Sequence, residues 1–266
     1  DKRLRTSALI VSDKGTQLTI DAGPDFREQM LREDVKYLDA ILVTHSHRDH
    51  IGGLDDVRSY NYLQKSSMPV YCNKLAGEGI KEEYSYAFAS KKYPGLPEFD
   101  LRYINANKDT SFNIKELSVV PIEVMHATLP ILAYRIGPLA YITDAKSIEE
   151  KEKNKLFGVK TLIVNALRKE EHFSHFNLAE ALQLISEVKP QRAYLTHISH
   201  FLGFQKEIQK EQKTLLTKEE KQKLDDAFLE LLHTYIKLLD AEGINLSGIK
   251  TPLDYNKIVK EGGAAE

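Results

Sequence analysis

The sequence predicts an α/β fold, and three observations lead there. Strand, loop, helix and strand patterns recur in that order through the first three quarters of the chain. Several apolar runs of strand length end on a histidine or an aspartate, as strands do when they deliver a side chain to a rim. A chain of 266 residues, 42% hydrophobic, 29% charged and 9% aromatic, is globular and can bury a substantial core.

In order along the chain, Ser7–Val11 and Gln17–Asp21 flank the turn "SDKG" and read as strands. Asp25 with Glu28 predicts a capping box for a short helix through Arg32. Ala40–Thr44 is a continuous apolar run suited to a buried strand, "GGLDDVRSYNYL" carries apolar residues at helical spacing, and "MPVYCN" is a short strand bounded by Pro and Asn. Tyr84 to Asp109 mixes Tyr, Lys, Pro and Gly without clear periodicity, which predicts a long surface excursion over the site or an edge. Strand runs resume at Leu117–Glu123, Ile131–Ile136, Ala140–Thr143 and Thr161–Asn165. Asn177 with Glu180 then caps an amphipathic helix through Val188, which Pro190 stops, and Ala193–Thr196 is a strand ending on His197. Beyond Phe201 the composition shifts to Lys, Glu, Gln and Leu. There Thr217 with Glu220 opens an amphipathic helix carrying Leu224, Phe228, Leu231, Leu232, Tyr235, Ile236 and Leu239, with Gly243 at its end and a fraying tail behind.

The net charge of −2, with no long block of Lys or Arg, argues against nucleic acid as the main partner. One cysteine, Cys72, cannot form an intrachain disulfide, and no apolar stretch approaches the roughly 20 residues of a membrane span. A reducing, cytoplasmic setting is the expectation. The opening "DKRLRTSALIV" lacks both an initiator Met and a signal-peptide core, so the natural chain is expected to begin earlier.

Chemistry concentrates in "VTHSHRDHIGGL", Val43 to Leu54, where His45, His47, Asp49 and His50 fall within six residues after a buried strand. Imidazole and carboxylate are ligands for zinc and similar divalent ions. Side chains at i and i+2 of an extended backbone share a face, so His45 and His47 can grip one ion together. Asp49 and His50 follow the turn out of that piece and reach a second ion more easily. Three further candidates end later strands: His126 after "VVPIEVM", Asp144 after "AYIT" and His197 after "AYLT". A lone polar residue at a strand end is more often simply hydrogen-bonded, but three of them added to the loop point to a two-metal centre.

This ordered set, from Asp21 to His197, resembles the full ligand set of the metallo-β-lactamase-fold hydrolases. The resemblance implies a four-layer αββα sandwich with two metals at one edge. His45, His47 and His126 would hold the first ion, Asp49, His50 and His197 the second, and Asp144 would bridge them. Asp21 in "LTIDAG" matches a family position whose carboxylate orients a ligand histidine, though an Asp before Ala-Gly also makes an ordinary turn. An aspartate at the bridging position favours phosphoester over lactam hydrolysis, because two ions can hold phosphoryl oxygens.

The segment "NALRKEEHFSHFNLAEALQLI", followed by "AYLTHISH", resembles the branch containing the phosphoribosyl 1,2-cyclic phosphate phosphodiesterases. By that resemblance His175 is the general acid, counted with Asp49 as catalytic. His172, a competing candidate, reads as a solvated loop histidine beside Lys169, Glu170 and Glu171. The implied enzyme is a phosphodiesterase acting on a small, cyclic phosphate ester by attack of a metal-bridging hydroxide. Its cofactors would be two divalent ions, zinc or manganese, with iron also accepted by such sites.

Two features depart from that branch. Its members hold a structural metal with a cysteine-bearing loop and the second histidine of a "THISH"-like motif, here His200, and no cysteine precedes His200 except Cys72. The first strand and cysteine loop are therefore expected to be missing. The hydrolase domain is placed at residues 1–205 and a helical extension at 206–266, which could close the core, cover the site or make a homodimer. Rival readings are a transfer-RNA 3′-processing endonuclease, which needs a basic arm not evident here, a thioesterase of the same fold, and a non-catalytic binding domain stapled by metal.

Overall fold

The computed structural model describes residues 3–91 and 93–203. The expected extension 206–266, with its helix from Thr217 and any homodimer contact, lies outside the described residues.

Side-chain alternation in strands builds the layers. Strand β1 (Ala8–Val11) pairs antiparallel with β2 (Gln17–Ile20) through the turn at Ser12–Gly15. Then β3 (Ala40–Leu42), β4 (Met68–Cys72) and β5 (Phe99–Tyr103) add in parallel, in the spatial order β1-β2-β3-β4-β5. Ile41 and Val43 point into one core with Phe26, Leu54 and Ile80, while Ala40 and Leu42 point into another with Leu18, Tyr134 and Tyr141.

The second sheet has the order β11-β10-β9-β8-β7-β6, from β6 (Phe112–Ile114), β7 (Leu117–His126), β8 (Leu129–Ile136), β9 (Leu139–Ile142), β10 (Thr161–Asn165) and β11 (Arg192–Thr196). It alternates in the same way. Leu132, Tyr134 and Tyr141 meet the first sheet, whereas Ile131, Ala133, Ala140 and Ile142 join Ala181, Leu184 and Val188 of a covering helix. Two sheets face to face with helices outside each make the expected αββα sandwich. Each large apolar side chain so buried is worth roughly 1.5–3 kcal/mol.

The helices of the first face are α1 (Phe26–Arg32), α2 (Arg48–Ile51), α3 (Arg58–Gln64), α4 (Lys74–Glu83) and α5 (Ser85–Phe88); α6 (Glu150–Lys153) and α7 (Leu178–Val188) belong to the second half. The capping box of α7 is present: Asn177 Oδ1 accepts the Glu180 amide at 2.9 Å and Glu180 Oε2 accepts the Asn177 amide at 2.8 Å. Lys189 ends α7 in a left-handed conformation, φ 52°, one residue before Pro190.

The box expected at Asp25 and Glu28 does not form. Asp25 makes no side-chain cap bond, because its Oδ2 is taken by the Arg5 amide at 2.7 Å. The stretch "GGLDDVRSYNYL" divides into a 3-10 turn, Leu54–Val57, and α3. Tyr84 to Asp109 is only partly an excursion, since it contains α5 and the edge strand β5. Phe99 and Leu101 pack on the first core while Asp100 and Arg102 alternate outward, bonded to each other at 2.8 Å. Among the described residues, no helix is long and apolar enough to cross a membrane.

Candidate metal centre

Three candidate residues stand where the chain leaves a strand, and all three have left-handed backbones: Asp21 after β2 (φ 63°), Asp144 after β9 (φ 55°) and His197 after β11 (φ 49°). For residues with a Cβ this conformation costs roughly 1–3 kcal/mol, and it clusters at functional sites. It turns each side chain back over the strand ends, toward the loop that follows β3. That loop lies tightly on Ala22 and Gly23. The Ala22 amide donates to His50 O and the Gly53 amide to Ala22 O, each at 2.8 Å. A Cβ on Gly53 would collide with the Gly23 carbonyl, so glycine there permits a close backbone approach.

The hydrogen bonds decide which histidine nitrogens are free. Asp21 is fully buried; its Oδ1 accepts the Thr44 amide at 2.8 Å, and its Oδ2 accepts the Thr44 hydroxyl at 2.9 Å. Oδ2 also lies 2.7 Å from His50 Nδ1. A carboxylate can only accept, so Nδ1 carries a proton and Nε2 is the nitrogen that faces inward. The Thr44 hydroxyl, having donated to Asp21, accepts from His45 Nδ1 at 3.0 Å. His126 Nδ1 stands 2.9 Å from two carbonyls, Asp144 O and Ser174 O. His45 and His126 thus present an unprotonated Nε2, and His50 directs its Nε2 at Asp144 and Asp49.

Asp144 lies at the middle. Its Oδ2 accepts the Thr143 hydroxyl at 2.8 Å and is 2.9 Å from His50 Nε2, while its Oδ1 is 2.7 Å from His175 Nε2 and 3.1 Å from His197 Nε2. Asp49, half-buried, faces His197 Nε2 at 3.4 Å and His50 Nε2 at 3.5 Å. Burial leaves His45 Nε2 and His197 Nδ1 without a hydrogen-bond partner among the described residues. Unsatisfied buried nitrogens among carboxylates are what a cation site requires.

The electrostatics separate the rings. Burial pulls the His45 ring well below the usual imidazole range, and burial with the nearby His175 lowers His126. Burial would also lower His50, but Asp21 and the bonds to Asp144 and Asp49 outweigh it and hold that ring well above its usual range. The bonds from His197 and His50 hold Asp49 below the carboxylate range; at Asp144 burial opposes, and the bonds from His175 and His50 prevail. Asp21 goes the other way, raised by burial against the pull of His50.

Three groups of side chains could each hold an ion, with ligand atoms all within 4.8 Å: His45, His50 and Asp144; Asp49, His50 and His197; and His126, Asp144 and His175. The structure thus brings together every expected ligand except His47. His47 caps α2 with an exposed ring, 4.5 Å from the His45 ring and 5.1 Å from that of His126, and enters none of these groups. His175, expected as an acid, stands within ligand distance of the third.

His172 is no solvated loop residue: it is half-buried, with Nδ1 3.1 Å from His175 Nδ1, because the loop folds back on Ser174. His200 is exposed at the start of a 3-10 turn, its ring 4.0 Å from that of Phe201, and belongs to no ion group among the described residues. Sequence reasoning missed Thr44, Thr143 and Ser174. The signal of the two threonines was present, since the strand ends read Thr-His at 44 and Thr-Asp at 143, a pattern repeated at Thr196.

Comparison with known proteins follows the same residues. Residues 16–198 match a family model described as a beta-lactamase superfamily domain. An octanoyltransferase of Porphyromonas gingivalis is 39% identical over 201 residues, which are 75% of this chain and 40% of that protein. The chain therefore spans about two fifths of that relative's length. The anti-Pycsar protein Apyc1 of Bacillus phage 010DV004 is 27% identical over 222 residues, 74% of this chain and 83% of its own. Among solved structures, a diphosphatase of the PhnP family superposes with a TM-score of 0.70 and 33% identity, covering 77% of each chain.

Proposed function

The chain belongs to the beta-lactamase superfamily, and we propose that it is a phosphodiesterase dependent on two divalent metals, acting on a small, cyclic phosphate ester. The observation that carries this reading is the position of Asp144, whose two carboxylate oxygens face different histidines, His50 on one side and His175 with His197 on the other. A carboxylate so placed is suited to lie between two cations. The 33% identity to a protein described as a diphosphatase agrees in reaction class.

His45, His47 and His126 would hold one ion, Asp49, His50 and His197 the other, and Asp144 both. Zinc or manganese fits the mixed donor set, with iron also accepted. When bound, two such ions activate water near neutral pH and balance charge on phosphoryl oxygens. The chain supplies the proton transfers. His175 Nε2 faces the site beside Asp144 and gives its proton to the ester oxygen as the P–O bond breaks and that oxygen takes the electron pair. Asp49, half-buried and facing His197 and His50, would help to hold the second ion and to orient the attacking water. Asp21 and Thr44 keep the His50 and His45 rings in the ligand tautomer. The single cysteine, buried, suits a cytoplasmic protein.

A second reading, hydrolysis of acyl thioesters, is favoured by the 39% identity to a protein named for octanoyl transfer. Metal analysis combined with a substrate panel separates the two. Turnover of bis(p-nitrophenyl) phosphate and of cyclic ribose phosphates, with metal bound and octanoyl thioester untouched, is expected. Thioester turnover alone would replace this reading with the second. Salt-sensitive cleavage of transfer RNA would replace it with an endonuclease, and metal binding without any turnover would leave a stapled binding domain.

A further inference from the structure

We infer that helix α4 is a strut that holds His47 at its distance from His126, and that Gly79 is the positioning residue through which it acts. The inference rests on the proposed first ion, which takes both histidines as ligands. His47 needs such support more than its neighbours do. The rings of His45, His50 and His126 are each held at Nδ1 by a hydrogen bond, whereas the His47 ring is exposed and forms none among the described residues. The backbone on either side of His47 therefore sets where its ring can reach.

Helix α4 touches both halves of that site. At its start, Asn73 Oδ1 accepts the Ala76 amide at 2.7 Å and Asn73 Nδ2 donates to Pro130 O at 3.2 Å. Pro130 lies in β8 opposite Met125, the residue before His126. Towards its other end the helix meets the histidine loop three times: Gly79 packs on Ser46, between His45 and His47; Glu83 pairs with Arg48; and the buried Tyr84 hydroxyl donates to Ile51 O at 2.6 Å. Glycine is unfavourable inside a helix, yet α4 carries Gly77 and Gly79, which face nearly opposite ways at about 100° per residue. A Cβ on Gly79 would stand 2.5 Å from both Cβ and Oγ of Ser46. That Cβ is fixed to the backbone, so relief would have to move the helix or the loop that carries His47. A Cβ on Gly77 would stand 2.4 Å from the Tyr103 ring, which is 47% exposed and can turn aside.

The test is zinc affinity, measured by chelator competition on the full chain. Gly79→Ala should weaken one zinc by about 10-fold or more, the scale of losing support for a metal ligand, although alanine by itself favours the helix. Gly77→Ala, the same change two residues away, should bind within about 2-fold of the parent. Adding Ser46→Gly to Gly79→Ala leaves the new Cβ facing the residue 46 Cα at an ordinary 4.0 Å and should recover most of the loss, the non-additivity of residues in contact. Asn73→Asp still accepts the Ala76 amide but cannot donate to Pro130, so it should weaken the same ion, and it carries the test if Gly79→Ala does not fold.

Cobalt(II) in place of zinc gives a readout that general loss of stability would not move: its visible absorption bands should shift in Gly79→Ala and return in the double variant. Parent-like affinity in Gly79→Ala or Asn73→Asp, an equal loss in Gly77→Ala, or no rescue by Ser46→Gly would overturn the inference. The control is His47→Ala. If it binds zinc as the parent does, the assignment of His47 as a ligand falls; if it loses an ion while the α4 variants do not, only the strut falls.

Discussion

Asp21 Oδ2 and His50 Nδ1 are bonded at 2.7 Å where neither side chain meets solvent. The bond fixes which His50 nitrogen faces the candidate site, and the Thr44 amide on the other oxygen keeps the carboxylate from turning. With His50 holding an ion as proposed, Asp21→Ala should weaken metal binding by roughly 10–100-fold, the usual effect of removing the partner of a ligand histidine. Chelator competition with the purified protein measures it; unchanged affinity would return Asp21 to an ordinary turn residue.

Thr44→Val removes one hydroxyl that serves two partners. Asp21 Oδ2 loses a donor and His45 Nδ1 its acceptor, both in a buried setting. Leaving such groups unpaired costs about 1–3 kcal/mol, visible as a lower urea midpoint with an unchanged slope. The same variant should bind metal more weakly, because the His45 ring is no longer held.

Asn177→Ala removes the cap of α7 and should cost about 0.5–2 kcal/mol. Asn177 is two residues beyond His175, and the intervening Phe176 amide is tied to Ala145 O at 2.6 Å. Fraying of α7 should accordingly reduce kcat on a cyclic phosphate ester as well as thermal stability. Steady-state kinetics below the unfolding transition will separate the two effects.

Cys72 lies in the first core, and burial pushes its thiol up to about 12 from an ordinary 9.0. The folded protein should resist iodoacetamide at pH 8, where the thiol remains protonated, and react once unfolded. The sign for stability follows from the raised value: the contribution is present below pH 9 and is lost as pH rises from there toward 12. Urea titrations of the parent and Cys72→Ala at pH 8 and pH 10 should converge as the pH is raised.

The strands that carry candidate ligands were legible because each is an apolar run stopped by a residue that an apolar layer would reject: His126, Asp144 and His197. Capping was legible only in part. Asp25 and Asn177 carry the same spacing of acid or amide and glutamate, but an amide 20 residues upstream competes for Asp25, and among the described residues nothing competes for Asn177. Strand β5 reads Phe-Asp-Leu-Arg-Tyr, a clean alternation hidden beside "YPGLPE". The partnership of His172 with His175 depends on a loop doubling back, which no periodicity records.

The left-handed backbones at Asp21, Asp144 and His197 set stability against chemistry at these positions. Glycine would suit each backbone conformation better than the residue present, a cost that at Asp21 is offset by the bonds from the Thr44 amide and hydroxyl. A library selected for heat resistance alone, without metal or substrate, should drift toward glycine at Asp144 and His197 while leaving the neighbouring strand residues intact. Positions that change first under such selection are those that function alone was holding in place.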